Sequence, residues 1–179
     1  MIKILRDVKA PEIFVRVDDE ADVSAAVAAI IADVRREGDA AVLRYSEKFD
    51  GARLDSLELT DEEASAALKQ VDGAFVEILL RAARNIEAFH RRQLREGFEL
   101  TGDNGEILGQ KVLPLARVGV YVPGGTAAYP STVLMNCIPA RIAGVKEIIL
   151  VTPPRPDGTV RPEIVAAARI AGATRIFKC

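Results

Sequence analysis

Apolar residues recur at steps of three and four through the first half of the chain, and in short alternating or unbroken runs through the second half. The first pattern is typical of helices with one buried face and the second of short strands. The steps of three and four predict helices over residues 23–38 and 39–50 and a longer helix over 60–96. Thr60 and Glu63 form a capping box at the start of the long helix, and Gly73 is a point where this helix can break.

The second half predicts a sheet. Residues 54–59 alternate and are compatible with a short strand, and a hairpin is predicted around Asn104-Gly105. Three apolar strands and two intervening helices follow: strands 118–122, 147–152 and 174–177, helices 131–143 and 162–172. Strands that alternate with helices predict an α/β fold with a parallel sheet. The chain ends where the loop after the third strand is expected to begin, so the pattern predicts a sheet that is cut short.

Composition excludes several classes of protein. The 24 Lys and Arg residues against 26 Asp and Glu residues give a net charge of −2, and Trp is absent. Neither a basic surface nor a stacking platform is indicated, so we expect no nucleic-acid partner. No apolar run is long enough to span a membrane. Two unpaired cysteines and no secretory leader predict a cytoplasmic protein.

The candidate chemistry lies at the turn that follows the strand over 118–122. Pro123, Gly124 and Gly125 form this turn, and a helix is predicted to open at Ser131. Backbone amides at the carboxyl edge of a parallel sheet bind phosphate-bearing ligands. A tight turn that needs glycine for positive φ explains the same residues equally well. Tyr121 is either a core tyrosine or an aromatic wall for a nucleotide base.

The other reactive side chains carry no site. His90, the single histidine, is interpreted as a surface residue that interacts with a helix dipole. Cys137 is interpreted as a buried, inert thiol, because no base is apparent near it in the sequence. One histidine and one distant cysteine do not form a zinc site. No catalytic and no metal-binding residue is therefore assigned in this chain.

Several segments, in order along nearly the whole chain, resemble histidinol dehydrogenase. The main ones are 118–126 (Val-Gly-Val-Tyr-Val-Pro-Gly-Gly-Thr), 131–135 (Ser-Thr-Val-Leu-Met) and 139–144 (Pro-Ala-Arg-Ile-Ala-Gly). Four shorter segments agree as well: 36–39, 45–50, 85–90 and 151–154. The resemblance implies an N-terminal arm and helices over 1–96, and over 97–179 the first Rossmann-like α/β domain, an incomplete parallel sheet with flanking helices.

The resemblance also implies a function. Enzymes of this family are zinc-dependent homodimers that oxidise L-histidinol to L-histidine and reduce two NAD. The family tyrosine that contacts NAD falls on Tyr121. With the turn that follows, the candidate cofactor-binding residues are Tyr121, Pro123, Gly124 and Gly125.

The family's zinc ligands and its catalytic glutamate-histidine pair follow later in its sequence and match nothing in these 179 residues. We therefore expect the N-terminal portion of such an enzyme, inactive as a dehydrogenase by itself. Three alternatives stay open: a non-catalytic nucleotide-binding or dimerisation module, a related dehydrogenase of another small polar alcohol, and a purely structural fragment.

Overall fold

The computed structural model describes residues 23–124 and 128–179. The chain divides into two compact units, Met1–Gly38 and Asp39–Cys179. The described part of the first unit contains helix α1 (Ser24–Glu37), which ends at Gly38 as predicted. Arg36 pairs with Asp33 in the last turns of this helix. The N-terminal arm expected at the start of the chain lies outside the described residues.

The second unit opens with helices, and one prediction about them is wrong. These helices are α2 (Asp39–Asp50), α3 (Asp61–Leu68) and α4 (Gly73–His90), with a short 3₁₀ turn at Arg91–Gln93. The single helix predicted over 60–96 is therefore two helices. The interruption lies between Leu68 and Gly73, the residue at which the sequence indicated that the helix can break. The Asp72 carboxylate accepts a hydrogen bond from the Ala74 amide at 3.1 Å, and aspartate is a favoured residue at a helix start.

The strands form the two sheets that the sequence predicts. Strands β1 (Phe98–Thr101) and β2 (Ile107–Gln110) form an antiparallel hairpin, and Gly105 in its turn has φ 83°. Three parallel strands follow in the order β3-β4-β5: β3 (Arg117–Tyr121), β4 (Glu147–Thr152) and β5 (Arg175–Lys178). They are connected by α5 (Pro130–Ile142) and α6 (Pro162–Ala171). The α/β fold class is confirmed.

Residues 54–59 do not form a full strand. Glu58 makes an isolated antiparallel bridge to Phe177. The Leu59 amide donates to the Ile176 carbonyl at 2.9 Å, and the Lys178 amide donates to the Leu57 carbonyl at 2.7 Å. This short pairing covers the outer edge of β5.

The hydrophobic core lies between one face of the parallel sheet and the helices α5 and α6. Along β4, Ile148, Leu150 and Thr152 are buried while the residues between them are only half-buried. Side chains from α3 and α4 extend the same core, including Ala64 and Leu79. One face of the sheet is therefore covered by helices, and the carboxyl ends of the three strands lie together at one edge.

The boundary predicted between residues 96 and 97, where the N-terminal helices end and the α/β domain begins, stays a prediction.

Candidate functional site

The carboxyl edge of the sheet brings together the ends of β3, β4 and β5. The Val122 amide donates to the Val151 carbonyl at 2.9 Å, which carries the pairing of β3 with β4 one residue past the strand. Thr152 and Lys178 are register partners at the ends of β4 and β5. The Cys179 amide donates to the Thr152 carbonyl at 3.1 Å. The edge is therefore ordered by backbone hydrogen bonds across all three strands.

Tyr121 is the last residue of β3 and is 62% exposed. The residues on either side of it, Val120 and Val122, point into the core with 9% and 0% of their surface exposed. The side chains therefore alternate between the two faces of the sheet, and the interpretation of Tyr121 as a core tyrosine is excluded. Tyr121 is in register with Val151, which is in register with Phe177, so the three form a row across the sheet on the face opposite the core.

The turn that follows packs closely against the loop after β4. A side-chain carbon placed on Gly124 would lie 3.0 Å from the Pro153 carbonyl oxygen and 3.1 Å from Thr152 Oγ1. Gly124 does not have a positive φ, so the lack of space beside it is the reason for glycine here. Pro123 is exposed. Gly125, the fourth candidate residue, lies outside the described residues.

Arg161 contacts this turn, and the sequence analysis missed it. It is half-buried, stands immediately before α6, and its Nε donates to the Gly124 carbonyl oxygen at 3.4 Å. The contact joins the turn after β3 to the end of the loop after β4. Nothing in the local sequence distinguishes Arg161 from a surface arginine, and only its place before Pro162 indicates a helix start.

A second missed feature is an ion pair at the end of β5. Lys178 Nζ lies 2.6 Å from Glu63 Oε1, and only 5% of the lysine side chain is exposed. Glu63 Oε2 also accepts from the Thr60 amide at 2.8 Å, which confirms the capping box. Partial burial acts to raise the pKa of Glu63, but the hydrogen bonds from Lys178 and Thr60 outweigh it, so the pKa lies below its ordinary value.

Cys137 and His90 lie on helices and not at the carboxyl ends of the strands. Cys137 is fully buried on α5, as predicted, and burial raises the pKa of its thiol to about 11. His90 ends α4, and its Nδ1 is 2.6 Å from Gln93 Oε1. Within residues 23–124 and 128–179, no group of three or more His, Cys, Asp or Glu side chains is arranged to hold a metal ion.

Parallel strands joined by helices that pack on one face, with a glycine-containing turn at the carboxyl edge, define an α/β protein with a parallel sheet. The chain belongs to the histidinol dehydrogenase family, whose model matches residues 15–179. It is 54% identical to the histidinol dehydrogenase of Geobacillus kaustophilus over 153 residues. This match covers 86% of this chain and 36% of that protein. It is 45% identical over 160 residues to that of Clostridium acetobutylicum, which covers 89% of this chain and 37% of that protein.

A solved structure agrees with the sequence comparison. The crystal structure of histidinol dehydrogenase from Elizabethkingia anophelis superposes with a TM-score of 0.85 at 34% sequence identity. The match covers 91% of this chain and 38% of that one. The chain thus spans less than two fifths of the length of these relatives. Among the residues that the structure describes, no helix is both long and apolar enough to cross a membrane.

Proposed function

We propose that this chain forms part of the NAD site of an enzyme that oxidises L-histidinol to L-histidine, with zinc as a second cofactor. Its membership of the histidinol dehydrogenase family and the names of its relatives support the reaction and its place in histidine biosynthesis. The proposal extends to a cytoplasmic homodimer, on the strength of the family resemblance.

The observation that carries the proposal is the position of Tyr121. An aromatic side chain with 62% of its surface exposed stands at the carboxyl edge of a parallel sheet, next to a turn in which Pro123 is exposed. These residues fit a nucleotide, because an aromatic face stacks on a planar ring and the edge of such a sheet is where nucleotides bind. NAD supplies the hydride acceptor in this chemistry. The part of the chain described here orients the cofactor.

The proposal assigns no residue of this chain to zinc or to proton transfer. Glu63, the carboxylate that pairs with Lys178 at the end of β5, also caps α3. Zinc binding and proton transfer are therefore implied by the family resemblance alone.

Calorimetric titration with NAD tests the nucleotide site. We expect saturable binding that is lost or weakened at least tenfold in Tyr121→Ala. Phe98→Ala is the matched control, since Phe98 is a similarly exposed aromatic residue, on the separate β1–β2 hairpin. No heat at millimolar NAD, or an equal loss in both variants, would contradict the proposed site.

The reaction is tested separately. With zinc, L-histidinol and NAD, we expect no NADH formation above background from these 179 residues. Steady turnover would show that the chain carries catalytic residues that the proposal does not assign. NAD binding without turnover is also what a non-catalytic nucleotide-binding module would show. An assay of the longest natural form of the protein with histidinol and with other small polar alcohols distinguishes the candidates.

A further inference from the structure

We propose that Arg161 is a positioning residue of the nucleotide site, which holds the turn after β3 in its binding conformation. The inference rests on the proposed function, since the turn is the one assigned to NAD. Arg161 is separated from Gly124 by 37 positions, and its Nε donates to the Gly124 carbonyl oxygen at 3.4 Å.

The turn is supported from two directions. Below it, Gly124 packs against Thr152 and Pro153 so closely that a methyl group would be 3.0 Å from the Pro153 carbonyl oxygen. From the side, Arg161 Nε donates to the carbonyl oxygen of Gly124. Backbone packing limits how near the turn approaches the sheet, whereas the guanidinium selects the orientation of the peptide group that carries this carbonyl. A planar peptide group moves as one unit, so a hydrogen bond to its oxygen orients the whole group.

Arg161 is itself held in place by the loop between β4 and α6. The Arg155 amide donates to the Thr159 carbonyl at 2.8 Å, and the Gly158 amide donates to the Arg155 carbonyl at 2.8 Å. Val160, the residue before Arg161, is buried with 2% of its surface exposed. The arginine backbone is therefore fixed on both sides, by a closed loop before it and by α6 after it.

The charge of Arg161 has a further consequence. A guanidinium donates charge-assisted hydrogen bonds and stays protonated at every accessible pH. Arg161 therefore places a positive charge beside the turn. If the turn binds the diphosphate of the dinucleotide, this charge lies on the same side as the diphosphate. Lysine would keep the charge but lose the planar arrangement of donors. Arg161→Lys is therefore expected to retain only part of the NAD affinity that Arg161→Ala loses.

The test compares NAD affinity in four proteins: the unaltered chain, Arg161→Ala, Arg161→Lys and Arg169→Ala. Arg169 lies on α6, the helix that begins directly after Arg161, is exposed, and pairs with Asp61 instead of the turn. We expect Arg161→Ala to weaken NAD binding about tenfold, Arg161→Lys to lie between it and the unaltered chain, and Arg169→Ala to have no effect. Thermal unfolding temperatures of the four proteins should agree, which separates positioning from loss of fold.

Equal NAD affinity in Arg161→Ala and the unaltered chain would overturn the inference while leaving the proposed function standing. If the unaltered chain binds no NAD, the proposed function fails, and hydrogen exchange at the amide of residue 125, which belongs to the same peptide group as the Gly124 carbonyl, decides about Arg161. Faster exchange of this amide in Arg161→Ala, but not in Arg169→Ala, would support the hold of Arg161 on the turn. Unchanged exchange would refute it.

Discussion

Glu63 and Lys178 form an ion pair whose two members should differ in their effect on stability. Removing the Glu63 carboxylate should destabilise the fold more than removing the Lys178 ammonium. Only 5% of the Lys178 side chain is exposed, against 39% of the Glu63 side chain. Glu63→Gln leaves a buried ammonium without its counter-charge. Lys178→Met removes that charge, fills a similar volume, and leaves a carboxylate that water and the Thr60 amide still solvate.

The magnitudes follow from burial. Removing one partner of a fully buried pair costs about 3–5 kcal/mol. Water reaches this pair through the glutamate, so we expect about 2 kcal/mol for Glu63→Gln and about 1 kcal/mol or less for Lys178→Met. The double variant should cost no more than Lys178→Met alone, because neither protein contains a buried charge, and the coupling energy should therefore be at least about 2 kcal/mol.

Urea unfolding followed by circular dichroism at pH 7 measures these free energies. Arg169→Met is the control, because Arg169 pairs with Asp61 in an exposed bridge near the same end of α3 and should change stability by less than about 0.5 kcal/mol. Equal costs for Glu63→Gln and Lys178→Met that simply add in the double variant would refute the asymmetry.

The same pair predicts a dependence on pH. The pKa of Glu63 is lower in the folded protein than its ordinary value, so the unfolded chain binds this proton more readily. The stability that the pair contributes is therefore fully present above the ordinary glutamate pKa of about 4.3 and is lost as the pH falls through the lower folded-state value. Lys178→Met should lose less stability than the unaltered chain over that interval. A parallel decline in both would contradict the assignment.

Three further predictions concern the core, a helix end and the thiols. Leu134→Ala should lower the free energy of unfolding by about 2–5 kcal/mol because Leu134 is 1% exposed, whereas the exposed neighbour Met135→Ala should change it by less than about 0.5 kcal/mol; equal effects would contradict the packing. Gly172→Ala should cost about 1–2 kcal/mol in urea unfolding, since Gly172 has φ 89° in the left-handed region, and a neutral result would refute that cause. At pH 8, iodoacetamide should modify Cys179 before Cys137, as judged by mass spectrometry, because Cys137 is fully buried with a pKa of about 11; the reverse order would show that α5 opens.

Local pattern was sufficient to predict most elements. β4 was predicted over 147–152, and its buried and half-buried residues alternate along that range. Thr60 and Glu63 specify the start of α3 by hydrogen bonds within four residues of chain. The helices α3 and α4 were predicted as one because both contact α6, so the spacing of apolar residues continues across the gap.

The candidate site was predicted only in part. Alternation placed Tyr121 on the opposite face to Val120 and Val122, but periodicity alone does not say which face is covered. The helices α5 and α6 pack on the valine face, and this tertiary choice exposes the tyrosine.

The sequence by itself determined the α/β class and the family, because these depend on patterns and motifs formed by residues close together along the chain. Tertiary structure alone decided that Arg161 contacts Gly124 and that Lys178 pairs with Glu63, across 37 and 115 positions respectively. Such contacts depend on the order of strands in the sheet and on where each loop closes, and neither is encoded in the spacing of neighbouring residues. The arginine and the lysine were ordinary charged residues in the sequence, and the fold places one beside the turn and buries the other.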